Sequence, residues 1–196
     1  SNSSAASDVY KRQHWQGKLA GTINSAMIVL GTGVGAALFL NGTLYTGSHD
    51  VSGEPSFMIT NGLNPITRAQ TAAGLSAVKT VNAMAAAQHI RGHNLGPRVF
   101  KTLKPDTPAA AILATFTQGV AAMIYNIQTV LDLEKIVIGG GISVQSRVID
   151  EIRARVATYL QVTPLAARTI KLPEIVAAKY RNDANLVGAV VPLVAR

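Results

Sequence analysis

The sequence contains no cysteine, which excludes disulfide bridges, thiolate zinc sites, iron–sulfur clusters and cysteine nucleophiles. Charged residues make up only 14% of the 196 residues and hydrophobic residues 48%, which excludes a disordered chain. A chain of this length buries a substantial core without metals or cross-links. The absence of cysteine also fits a cytoplasmic protein, which is the expected location.

Acidic residues are scarce: ten Asp and Glu stand against eighteen Lys and Arg, which gives a net charge of +8. A surplus of this size raises the question of a nucleic-acid or anionic-membrane partner. The basic residues are dispersed, however, and few aromatic residues accompany the loose group Arg98, Lys101 and Lys104. The charge therefore favours an anionic substrate or an acidic partner segment over nucleic acid.

No apolar run is uninterrupted for the length of a membrane span. The most apolar long stretch, residues 109–131, contains Thr115, Thr117, Gln118, Tyr125, Asn126 and Gln128. Such polar side chains are costly in lipid. The stretch predicts a buried core helix, and no membrane partner is expected.

Hydrophobic patterning predicts a single α/β domain with strands and helices in alternation. Strands are expected at 26–30, 36–40, 43–45, 135–138 and 169–176, with an Asn41-Gly42 hairpin turn. Helices are expected at 67–90, from Thr107-Pro108 to about 131, at 147–160 and at 185–194.

Two glycine loops follow predicted strands. In the first, Gly31, Thr32 and Gly33 combine a flexible backbone with a hydroxyl, a pattern that lets amide groups cradle phosphate oxygens. In the second, Gly139-Gly140-Gly141 leaves room for a planar group such as adenine against the backbone. The alternative for both is a plain tight turn.

The order of these motifs resembles the ROK family (repressor, open reading frame, kinase). The resemblance rests on the first glycine loop with its hairpin, Ser52-Gly53-Glu54, the segment 133–143 with its three glycines, and the segment 182–189. It covers most of residues 16–196. ROK members are bacterial sugar kinases and sugar-responsive repressors, so the resemblance implies the actin-like ATPase (ribonuclease H-like) fold.

The resemblance also implies roles for individual residues. Gly31, Thr32 and Gly33 match the loop that holds nucleotide phosphates, Gly139, Gly140 and Gly141 match the adenosine loop, and Glu54 matches a glutamate that binds sugar hydroxyls. The implied cofactors are ATP and Mg²⁺, the implied partners are a sugar and a nucleotide, and a homo-oligomer is left open. As an alternative, Glu54 is a solvated loop acid, although it is the only Glu in the first 133 residues.

The residues that match the family's sugar-binding segment depart from the family pattern in two ways. Phe57 stands where the family has a histidine after the glutamate, and the cysteine-rich zinc segment is absent. The chain therefore resembles the zinc-less subset that includes β-glucoside kinases, and no zinc is expected. Phe57 is expected either to stack on a sugar ring or to join the core, and to be more buried than Glu54.

The beginning of the chain departs further. The Asp-x-Gly-Gly-Thr phosphate loop of ROK kinases is absent, and the family's catalytic aspartate falls near Ala5. Asp8 lies about three places late and is the one candidate base. Residues 1–13 are expected to be a non-native or scrambled lead-in, and residues 14–196 a C-terminal kinase lobe. Asp183 lies in a superficially similar motif, but Asp183 or Asn182 is expected to cap the last helix.

Three functions remain open from sequence. The favoured one is the C-terminal part of an ATP-dependent sugar kinase, inactive alone because the N-terminal lobe and the catalytic Asp are missing. The alternatives are the effector-binding lobe of a sugar-responsive repressor and a structural oligomerisation lobe. A kinase lobe requires both glycine loops on the same side of one sheet, facing a shared cleft.

Overall fold

The computed structural model describes residues 18–60 and 71–178. Within them, five strands form one sheet in the order β3-β2-β1-β4-β5. Neighbours β1, β2 and β3 pair antiparallel, whereas β4 runs parallel to β1 and to β5. The strands are β1 (Ser25–Leu30), β2 (Val34–Leu40), β3 (Thr43–Tyr45), β4 (Lys135–Gly139) and β5 (Glu174–Ala177). This mixed sheet confirms the α/β class and is consistent with an actin-like fold.

Five α-helices accompany the sheet in the described residues: α1 (Ala77–Ala87), α2 (Leu95–Lys101), α3 (Pro108–Leu131), α4 (Ser146–Tyr159) and α5 (Pro164–Thr169). The predicted start of α3 is confirmed, because the Thr107 hydroxyl accepts a hydrogen bond from Ala110 N (3.3 Å) and Pro108 occupies the first turn. The helix ends before Asp132, which adopts a left-handed conformation.

The main core lies between the helices and one face of the sheet. Alternate residues of β1, namely Ala26, Ile28 and Leu30, face this core, and Met27 faces a smaller cluster on the opposite side. Helix α3 packs against α1 and α4. Because both faces of the central strands are buried, β1 and β4 read as continuous apolar runs in the sequence.

Helix α3 is long and apolar enough to cross a membrane by length and composition alone. Its buried positions, however, recur every three or four residues and include Leu113, Val120, Ile124 and Ile127. They belong to the main core, so α3 is the core helix that its interrupting polar residues predicted.

The predicted helix from 67 to about 90 is wrong over residues 71–76. Residues 71–76 do not form its first turns, because Ala72 N donates to Met58 O (2.8 Å) and Thr71 pairs with Ile59 in an isolated bridge. Helix α1 instead begins after Ser76, whose hydroxyl accepts from Lys79 N (3.2 Å). It ends at Ala87, ahead of the left-handed His89.

The predicted strand 169–176 is also wrong in its first half. Thr163 caps a new helix by accepting from Ala166 N (3.0 Å), and Pro164 begins α5 there. The strand starts only at Glu174, after Pro173. The predicted helix 185–194 and Asp183 lie outside the described residues.

Candidate functional site

The first glycine loop is a tight connection between β1 and β2. Gly31 N donates to Gly33 O (2.9 Å), and Gly31 O accepts from Val78 N in the first turn of α1 (3.4 Å). Thr32 lies at the tip of the loop and is exposed. The hydroxyl and the loop backbone therefore open onto solvent at the carboxyl end of β1.

The second loop lies beside the first, because β4 is the parallel neighbour of β1 and both strands end at the same edge. Gly140 fixes the contact: its φ is +95°, and a Cβ there would lie 2.0 Å from Leu30 O. Leu30 directly precedes the first loop. The prediction that the two loops lie on the same side of one sheet is confirmed, and the shared cleft that they are expected to face stays a prediction.

Three loop glycines have no local reason to be glycine. A Cβ on Gly31, Gly33 or Gly141 would meet nothing within 4 Å, and none of the three has a left-handed φ. A plain turn does not require glycine at such positions, whereas close approach of a ligand to the backbone does. The backbone at these three positions is therefore open to solvent.

Glu54 lies at this same edge. The preceding Gly53 packs on β2, since Ala36 N donates to Gly53 O (3.0 Å) and a Cβ on Gly53 would lie 2.4 Å from Ala36 O. Glu54 itself is half-buried, and among the described residues its carboxylate has no hydrogen bond or ion pair. The carboxylate is thus available to a ligand.

Phe57 corrects one expectation. It is 78% exposed and therefore less buried than Glu54, so the prediction of a more buried Phe57 and the alternative of a core residue are both wrong. The reason is local: residues Pro55–Phe57 form a 3-10 turn in which Pro55 points into the protein. Phe57, at the end of that turn, points outward.

The remaining candidate residues from the sequence either do not come together in the structure or lie outside the described residues. Asp8 lies outside the described residues. The sequence allows His89 and His93 to share a helix face only if the helix continues past Gly92, and in the structure both follow the end of α1, so they do not. Within residues 18–60 and 71–178, no group of three or more His, Asp or Glu side chains could hold a metal ion.

The sequence reasoning missed a groove beside the second loop. It lies between the start of α4 and the end of β5 and is lined by residues that include Ser143, Asp150, Arg153 and Ala177. Arg153 is fixed there, because its Nε donates to Ile175 O (2.7 Å) and its Nη1 pairs with Asp150 (3.0 Å). One sequence signal could have indicated this groove: Asp150 and Arg153 are three residues apart on a helix that begins just after a glycine loop.

Two glycine loops and an unpaired carboxylate thus lie together at one edge of the mixed sheet of an α/β domain. The ROK family model matches residues 7–195, so this chain belongs to the ROK family. It is 27% identical over 168 residues to N-acetylmannosamine kinase of Vibrio vulnificus (strain YJ016), covering 85% of this chain and 55% of that protein. It is 28% identical over 192 residues to β-glucoside kinase of Klebsiella pneumoniae, covering 94% and 60%. The chain thus spans little more than half the length of these relatives.

Solved structures share the fold. A ROK family protein from Streptococcus pneumoniae TIGR4, in complex with sucrose, has a TM-score of 0.76 at 22% identity, with 98% of this chain and 63% of that chain covered. A ROK glucokinase from Streptomyces griseus, in complex with glucose and AMPPNP, has a TM-score of 0.73 at 18% identity, covering 96% and 66%. A ROK transcriptional regulator, a homologue of the E. coli MLC protein, has a TM-score of 0.62 at 18% identity, covering 95% and 49%.

Proposed function

We propose that this chain is the C-terminal lobe of an ATP-dependent sugar kinase that phosphorylates a hexose or a β-glucoside. One observation carries the proposal: the loops that contain Thr32, Gly141 and Glu54 lie together at one edge of the sheet. The match to curated sugar kinases supports the same function. The location is proposed to be the cytoplasm, where ATP and sugar substrates occur together.

In this proposal the first loop binds the phosphates. The Thr32 hydroxyl and the exposed loop amides donate to phosphate oxygens. The second loop and the groove beside it hold the adenosine, with Gly141 leaving space for the ribose or the base. Mg²⁺ bound to the nucleotide would neutralise phosphate charge there.

Glu54 faces the sugar. An ionised carboxylate is a strong acceptor for two hydroxyl groups, and no protein group competes for it among the described residues. The exposed ring of Phe57, three residues on, offers an apolar face to a pyranose. The proposed lobe uses no zinc.

The chain alone is proposed not to transfer phosphate. Phosphoryl transfer requires nucleophile, phosphate and metal to be held in line, and a positioned base typically contributes 10²–10⁴-fold. Asp8 stands out of register with the family's aspartate, so no residue here is assigned as the base. The effector-binding lobe of a repressor remains the second candidate, because a ROK transcriptional regulator shares the fold over 95% of this chain.

The test combines binding with turnover. Fluorescent ATP analogue binding to the purified chain should fall about tenfold or more in Gly141→Leu, which fills the open space at the loop. Gly96→Leu is the matched control, since a Cβ there also meets nothing within 4 Å but Gly96 lies in α2. An equal loss in both variants would contradict the assigned nucleotide site.

Turnover is measured by coupled ADP release with ATP, Mg²⁺ and a panel of hexoses and β-glucosides. The chain is expected to show none. Turnover at an ordinary sugar-kinase rate that Asp8→Asn abolishes would show that Asp8 is the base. Sugar binding by the whole natural protein without any ADP release would favour the repressor function.

A further inference from the structure

Ser56 connects the segment of Glu54 to the first glycine loop. Its hydroxyl donates to the main-chain carbonyl of Val34, a residue 22 positions earlier in the chain. Val34 is the first residue of β2 and directly follows Gly33. The hydrogen bond is therefore not a local turn contact but a link between two separate segments of the candidate site.

The rest of the segment has anchors on either side of Glu54. Before it, Gly53 is fixed to Ala36 of β2. After it, Met58 N closes the 3-10 turn on Pro55 O (2.9 Å), and Met58 O accepts from Ala72 N (2.8 Å). Between these anchors, Ser56 supplies a side-chain contact to the residue that follows the phosphate-loop glycine.

The Glu54 carboxylate depends on this framework for its position. Among the described residues no donor holds the carboxylate itself, so its location follows from the backbone between Gly53 and Ser56. A shift of Val34 would be transmitted through the Ser56 hydrogen bond to that backbone. The same link transmits in the other direction.

We infer that Ser56 is a positioning residue that couples the sugar-binding carboxylate of Glu54 to the nucleotide loop at Gly31–Gly33. The inference rests on the proposed function and deepens it. Ser56 does not contact the substrate; it holds Glu54 in the orientation set by the first loop. Sugar therefore binds more tightly when nucleotide occupies the loop, and by linkage nucleotide binds more tightly when sugar is present.

The rival explanation is that Ser56 only stabilises the fold. A double-mutant cycle separates the two, because a residue that acts through Glu54 loses its effect when Glu54 is changed. The variants are Ser56→Ala, Glu54→Gln and the pair together. Ser56→Thr keeps a hydroxyl and should restore the link. Ser52→Ala is the control, since the Ser52 hydroxyl lies in the same loop and has no hydrogen bond among the described residues.

Calorimetry on the full chain measures sugar affinity with and without AMPPNP and Mg²⁺, using glucose, N-acetylmannosamine and methyl β-glucoside as probes. Ser56→Ala is expected to weaken sugar binding about three- to tenfold and to bring the nucleotide-dependent ratio of sugar affinities close to one. Ser56→Thr and Ser52→Ala should resemble the unchanged chain. In the Glu54→Gln background, Ser56→Ala should have no further effect.

Hydrogen exchange supplies a second measurement that needs no ligand. Amide exchange of residues 53–58 should rise in Ser56→Ala and stay unchanged in Ser52→Ala, with the thermal midpoint nearly the same in both. The inference would be overturned if Ser56→Ala lowered sugar affinity equally in the presence and absence of Glu54, or if it left amide exchange unchanged. Either result would leave the proposed function standing. An unchanged chain that binds none of the sugars, with or without nucleotide, would overturn the proposed function and this inference with it.

Discussion

At the scale of single residues, Gly140 brings the two loops into contact. Gly140 has a left-handed φ of +95°, and a Cβ at this position would lie 2.0 Å from Leu30 O. There is therefore no room for a side chain. The neighbour Gly141 has neither constraint. One glycine in the triplet is therefore structural, and the next is free to serve a ligand.

This difference predicts opposite outcomes for two adjacent substitutions. Gly140→Ala should lower the free energy of unfolding by about 2 kcal/mol or more, because it adds backbone strain and a steric clash. Gly141→Ala should change it by less than about 1 kcal/mol. Urea denaturation followed by circular dichroism measures both. Similar losses in the two variants would contradict the contact between Gly140 and Leu30.

The sequence could locate these loops but could not divide their roles. Alternate glycines after an apolar run predict a loop at a strand end, and the family resemblance supplies a ligand for it. Which glycine is compelled by packing depends on Leu30, which is 110 residues away from Gly140. The exposure of Phe57 was wrongly predicted for a local reason: the 3-10 turn Pro55–Phe57 buries Pro55 and leaves the ring of Phe57 in solvent.

At the scale of elements, helices α3 and α4 are joined by a polar contact inside an apolar interface. Thr117 is fully buried, and its Oγ accepts from Arg155 Nε (2.9 Å) and lies 3.1 Å from Glu151 Oε2. Arg147 pairs with the other oxygen of Glu151 (3.0 Å). The single hydroxyl hydrogen of Thr117 is shared between Glu151 and two carbonyls of α3, Leu113 O (3.0 Å) and Ala114 O (3.2 Å), so the hydroxyl contacts both charged side chains of α4.

Thr117→Val, which keeps the shape and removes the hydroxyl, should cost about 1–3 kcal/mol of stability because Arg155 and Glu151 lose a partner. Thr115→Val is the matched control on the same helix. Thr115 is exposed, and its hydroxyl bonds only to Ala111 O of its own helix among the described residues (3.1 Å), so its change should stay within about 0.5 kcal/mol. Thermal unfolding compares the two; equal midpoints would refute the interhelical role of Thr117.

Most elements were predictable where local and tertiary preferences agree. Thr107-Pro108 favours a helix start by local sequence preference, and helix α3 begins there. The alanine-rich residues before Ser76 favour a helix locally, but Ala72 pairs with Met58 and that pairing prevails. Thr163-Pro164 carried the same start signal as Thr107-Pro108, and overlooking it placed the last described strand too early.

At the scale of the whole molecule, the positive charge is unevenly distributed. Residues 55–105 contain six Lys and Arg and no Asp or Glu, so this stretch holds six of the eight net charges. Arg91, Arg98, Lys101 and Lys104 are all exposed, and none forms an ion pair among the described residues. The sequence analysis described Arg98, Lys101 and Lys104 as a loose group. In the fold Arg98 and Lys101 lie on α2, Lys104 follows α2, and Arg91 joins them from the connection between α1 and α2.

Such a surface should dominate binding to a charged matrix. The double variant Lys101→Gln/Lys104→Gln should elute from a sulfonate cation exchanger at a clearly lower salt concentration than the unchanged chain. The control Arg168→Gln/Lys171→Gln removes the same charge from exposed positions near α5 and should shift elution less. Equal shifts would mean that only the net charge matters.

The parallel pairing of β1 with β4 also has a consequence during synthesis. The two strands are separated by more than 100 residues, whereas β1, β2 and β3 form a local antiparallel meander. At about 5–20 residues per second, a ribosome takes roughly 5 to 20 seconds to add β4 after β1 has been made. Until then one edge of the apolar β1 has no neighbour, and an open edge of this kind is a site of aggregation. The strand that leads into the first glycine loop is therefore a segment of the nascent chain at which we expect chaperone protection to matter.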